Sequence, residues 1–77
     1  MNEDLSGPDY QMQKHSVLLD GHQTSVSLEN AFWQRLKDIA KKQDVSLNSL
    51  VTSVDHARTT NLSSALRVFV LTQWDKG

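Results

Sequence analysis

The chain has 77 residues, enough for one small domain, which buries only about 60% of the surface of its unfolded chain. It has no cysteine, so a disulfide framework and a thiolate metal site are both excluded, and a reducing compartment is expected. The formal net charge is −1, but residues 1–13 hold Glu3, Asp4 and Asp9 and no Lys or Arg. The remaining residues carry eight basic against six acidic groups, a balance of +2, which permits an acidic partner without demanding one.

The opening stretch MNEDLSGPDYQMQ combines Gly, Pro, Ser and acidic residues with little apolar content, and is expected to be a disordered acidic tail over residues 1–13. It does not resemble a signal peptide. The longest strongly apolar run, ALRVFVL, is interrupted by Arg67 and falls well short of the ~20 residues of a membrane span, so a cytoplasmic location and no membrane partner are expected.

KHSVLL-DG-HQTSVSL reads as a β-hairpin, because Asp20-Gly21 suits a two-residue type I′ turn, in which both positions need positive φ. Closing the turn there sets Leu19 opposite His22, Val17 opposite Thr24 and His15 opposite Val26. Val17, Leu19, Thr24 and Val26 then share one face. Lys14, Ser16, Leu18, Gln23, Ser25 and Ser27 share the other. ENAFWQRLKDIAKKQD carries apolar residues at 32, 36, 39 and 40, one helical stripe, with Glu29 expected in the first turn and Lys41 and Lys42 in the last. VSLNSLVTSVDHA predicts a second helix with Ser46 as N-cap and Leu47, Leu50, Val51, Val54 and Ala57 inward. A third helix, LSSALRVFVLTQW, capped by Asn61, is apolar nearly all round, more than one small protomer is expected to cover.

Clusters with catalytic or metal chemistry are weak. His15 and His22 share a face near Asp20, but lack the third firm ligand that a zinc site needs. Ser53, Asp55 and His56 lie too close together on one helix to converge as a triad. Trp33 and Trp74 read as packing residues, and Lys37, Lys41 and Lys42 as a solvated helix face. No catalytic residue, cofactor or metal is expected, and the chain is not read as an enzyme.

QTSVSLENAFWQRLKDIAKKQDVSLNSLVTSV resembles the ribbon-helix-helix family of bacterial and phage DNA-binding proteins. The resemblance is carried by the strand SVSL, Leu36 with Ala40, the turn DVSLNSL, and Val51 with Val54. The flanking segments resemble a bacterial branch that adds a leading strand and a trailing helix. The resemblance implies a mainly α fold with a short β-ribbon: a ribbon-helix-helix homodimer with an N-terminal hairpin and a third C-terminal helix, over residues 14–77. It further implies a transcriptional regulator whose ribbon enters the major groove of double-stranded DNA. Gln23, Ser25 and Ser27 would then read bases, Lys14, Ser46, Asn48 and Ser49 would contact phosphates, and Val26, Leu28, Leu50, Val54 and Phe69 would form the dimer interface. These residue types suit the task, since an amide bonds the adenine edge and a helix N-terminus attracts phosphate. The polar face holds no Arg. The alternative is a dimeric protein-interaction module that does not bind DNA.

Overall fold

The computed structural model describes residues 10–76, with side chains as far as residue 73, in the order β1 (Met12–Leu19), β2 (His22–Glu29), α1 (Asn30–Lys42), α2 (Leu47–Ala57) and α3 (Leu62–Lys76). Most of the acidic tail, residues 1–9, lies outside the described residues, as does the side chain of Trp74.

β1 and β2 form an antiparallel hairpin in the register set by the turn, with Leu19 opposite His22, Val17 opposite Thr24 and His15 opposite Val26. Asp20 and Gly21 have φ of 52° and 82°, as a type I′ turn requires. The ladder runs past Lys14, where the alternating pattern starts, to Met12 opposite Glu29, and the Asn30 amide adds a bond to the Gln11 carbonyl at 3.1 Å. Val17, Val26 and Leu28 are buried on one face of the hairpin, and the three helices pack against that face and against one another.

The strand runs straight into α1. Glu29 therefore stands at the N-cap with extended backbone, not in the first turn as expected, and its side chain makes no cap bond. On α1, Trp33, Leu36 and Ala40 are buried, while Phe32 and Ile39 pack at the margin of that stripe. Beyond α1, the Val45 amide bonds the Ala40 carbonyl at 3.0 Å and the Asp44 amide bonds that of Lys41 at 3.2 Å. With Asp44 at φ 57°, this is a Schellman ending with aspartate in the place that glycine usually fills.

Ser46 caps α2 by accepting from the Ser49 amide at 3.0 Å, and Asn61 caps α3 by accepting from the Ser64 amide at 2.9 Å. Leu50, Val51 and Val54 carry α2 into the core, and Leu66 and Val70 carry α3. The outer side of α3 leaves Val68 and Leu71 more than half exposed. No helix among the described residues is long and apolar enough to cross a membrane.

Candidate nucleic-acid interface

Strand alternation puts Lys14, Ser16 and Leu18 of β1 beside Ser27, Ser25 and Gln23 of β2 on the face turned away from the helices. Every one of these residues is exposed except Ser27, which is half-buried. The face is polar apart from Leu18 and Met12; Lys14 is its one charge away from the Met12–Glu29 end, where Arg67 pairs with Glu29.

The two outer edges of the hairpin differ, and hydrogen bonds show how. Asn48, in the first turn of α2, accepts from the Leu18 amide at 2.9 Å and donates from its own amide to the Leu18 carbonyl at 2.7 Å. A side-chain amide thus imitates a neighbouring strand and closes the outer edge of β1 at that point. Because both main-chain groups of Leu18 point away from β2, alternation fixes the rest of the ladder. In β2, His22, Thr24, Val26 and Leu28 point their main-chain groups at β1. Gln23, Ser25, Ser27 and Glu29 point theirs outward.

The outward edge of β2 is closed over its C-terminal part by α3. The Ser63 hydroxyl donates to the Ser27 carbonyl at 2.6 Å. Arg67 Nε bonds Glu29 Oε1 at 2.9 Å, and its guanidinium stands 6.0 Å from the centre of the Phe32 ring. The Arg67 bond holds the Glu29 carboxyl below its ordinary pKa, against a smaller opposing effect of burial. Gln23 and Ser25 keep an open edge; among the described residues nothing bonds their outward main-chain groups. Sequence reasoning missed Ser63 and Arg67, although an arginine inside an otherwise apolar helix was a signal that a carboxylate had to face it.

At the expected phosphate positions, Ser46 and Ser49 are joined by the capping bond and by a second bond from Ser46 Oγ to Ser49 Oγ at 2.9 Å. The Asn48 side chain is committed to Leu18, while Lys14 is exposed. Of the expected interface residues, Val26, Leu28, Leu50 and Val54 are already buried within one protomer, and Phe69 packs partly buried against the same core.

The histidines separate. His15 stacks on Trp33 with ring centroids 4.0 Å apart, and burial, then the Lys37 charge, lower its pKa. Asp20, at the hairpin turn, reaches across to His56 of α2, whose Nε2 donates to both carboxylate oxygens at 2.9 Å. That bond and the charge behind it raise the pKa of His56. Asp55 lies close by, but its carboxylate accepts from Arg58 Nε at 2.8 Å, so the group reads as an ion-pair knot tying the turn to α2.

No curated protein matches the chain. Among solved structures it is similar to an uncharacterized protein from Bordetella pertussis Tohama I, with 31% identity and a TM-score of 0.70. The match covers 83% of this chain and 56% of that one, so the chain spans little more than half the length of that relative. Residues 12–74 match the sequence model of the ribbon-helix-helix domain, which takes in both strands and nearly all of the three helices. The hairpin, the capped helix pair and this match agree, and the chain belongs to the ribbon-helix-helix family.

Proposed function

We propose that the chain is a sequence-specific DNA-binding regulator that acts as a homodimer, with no catalytic activity of its own. The observation that carries this reading is the polar row of exposed Gln23 and Ser25 and half-buried Ser27, on a strand whose opposite face buries Val26 and Leu28 in the core. A two-stranded ribbon fits a major groove ~12 Å wide, and amide and hydroxyl side chains bond base edges there.

Each protomer brings an added strand, and four strands span roughly 14 Å between their outer axes, more than the groove width. The central β2 strands therefore enter, and the β1 strands lie over the groove walls. That places Lys14 against phosphate. The N-terminus of α2 supplies a second phosphate contact through its Leu47 and Asn48 main-chain amides and the Ser49 hydroxyl, Ser46 acting as the cap that presents them. The exposed Val68 and Leu71 on α3 offer apolar surface for the dimer in addition to the strand edge.

One observation favours the second reading, a dimeric protein-interaction module: outside the Arg67–Glu29 pair the sheet face carries a single positive charge, which makes a weak electrostatic footprint for DNA. Selection from a random duplex pool with the purified full chain separates the two. Enrichment of a two-fold symmetric sequence supports the DNA reading, and recovery of the unselected pool contradicts it.

A further inference from the structure

We propose that Arg67 reaches from α3 round the edge of β2 and contacts a DNA phosphate, supplying the guanidinium that the polar face of the two strands lacks. The inference rests on the DNA-binding reading above. It goes beyond that reading by adding a contact from the third helix to those on the strands and at the start of α2.

Strand alternation puts Met12 and Glu29, the last pair of the ladder, on the same face as Lys14 and Ser27. Arg67 stands on a helix whose Leu66 and Val70 enter the core on the opposite face. Both partners of its guanidinium nevertheless lie on the polar face. Nε bonds Glu29 Oε1 at 2.9 Å, and Nη2 meets the Met12 sulfur at 3.5 Å. The side chain thus passes the outer edge of β2 and sets its charge one same-face pair beyond Lys14, roughly 7 Å along the strand.

Neutralising Glu29 accounts for a single donor of the five that a guanidinium carries, and a thioether is a weak acceptor. Among the described residues nothing accepts from Nη1, and Nη1 is not buried. The Phe32 ring, 6.0 Å from the guanidinium, and the Glu29 bond hold the fork in place. A planar fork with donors to spare suits a phosphate, which accepts two parallel bonds from it. Glu29 ends β2, where the chain leaves the sheet for α1, so a cation there meets the wall of the groove and not its floor. The contact therefore adds affinity without adding sequence information.

A double-mutant cycle in the full chain tests this. Wild type, Glu29→Gln, Arg67→Met and the double variant are titrated against duplex DNA by fluorescence anisotropy over a range of salt, with melting and sedimentation beside them. Methionine keeps an unbranched stem beside Phe32 and removes the charge, and Arg67→Gln replaces it if that variant does not fold. The double variant is expected to bind more weakly than Glu29→Gln on selected and random duplexes alike. Its salt slope should be smaller by about 0.9 for each copy of Arg67 on a phosphate. Arg67→Lys in the Glu29→Gln background should restore that slope, because an ammonium also serves phosphate as a point charge. An arginine that only neutralises Glu29 has nothing left to do once that carboxylate is gone. A double variant that matches Glu29→Gln would therefore overturn the proposal, and so would a loss confined to the selected sequence. If Lys14→Ala lowers the slope while the Arg67 variants leave it unchanged, the proposal falls and the DNA reading stands. A wild-type chain with no salt-dependent affinity would overturn both.

Discussion

Asn48 binds both main-chain groups of Leu18, at 2.9 and 2.7 Å, across thirty residues of sequence. The contact closes a strand edge that would otherwise be a template for unwanted pairing, and it holds the start of α2 against the hairpin. Asn48→Ala removes both bonds and should cost about 1–2 kcal/mol, read as a lower denaturant midpoint with an unchanged slope. Unaltered stability would show that the Asn48 contact contributes nothing to holding the hairpin.

The end of α1 carries a cost in the opposite direction. Asp44 holds the left-handed conformation that glycine occupies without strain. Asp44→Gly is expected to stabilise the protein by up to ~1 kcal/mol, with the rise in Tm as its measure. A lower Tm would mean that the aspartate side chain does something for the turn beyond filling it.

His56 makes stability depend on pH. Its folded pKa is raised above 6.5 by Asp20, so the contribution is fully present below about pH 6.5 and is lost as pH rises through the folded value. His15 works with the opposite sign: its pKa is lowered, and its contribution is present above about pH 6.5 and lost as pH falls. The Tm difference between wild type and His56→Gln should therefore be largest near pH 5.5 and shrink by about pH 8.5. A difference independent of pH would contradict the ion pair.

Much of this fold is legible in the sequence, and the limits have physical causes. Asp20-Gly21 fixes the hairpin register, and one register then decides every residue's face. Ser46 and Asn61 cap the helices they were expected to cap. Glu29 was misplaced by one helical position because propensity marks an acidic residue near a helix start without saying where the strand stops. Apolar spacing alone did not separate Trp33, which is buried, from Phe32 and Ile39, which are partly buried against the same core. The links of Leu18 to Asn48, Asp20 to His56 and Glu29 to Arg67 were not legible, since each depends on how elements thirty or more residues apart dock. The exposed face of β2 could be read from alternation alone. That α3 covers half of its edge could not.

If Gln23 reads a base, Gln23→Ala should cost on the order of 1–3 kcal/mol on the selected sequence and far less on random duplex, with little effect on folding because its side chain is exposed. Lys14→Ala should weaken binding to all sequences alike and lower the salt slope by about one unit, since a phosphate contact carries no sequence information. Equal losses on both duplexes for Gln23→Ala would remove it from the reading patch.

The most direct test of the central claim is the affinity of the wild-type chain for duplex DNA, measured by fluorescence anisotropy across a range of salt concentrations. A DNA-binding ribbon predicts a logarithmic affinity that falls linearly with the logarithm of salt, and at least a ~10³-fold preference for the selected symmetric sequence over random duplex. An affinity that is undetectable at low salt, or equal for both duplexes at every salt, would contradict sequence-specific DNA binding.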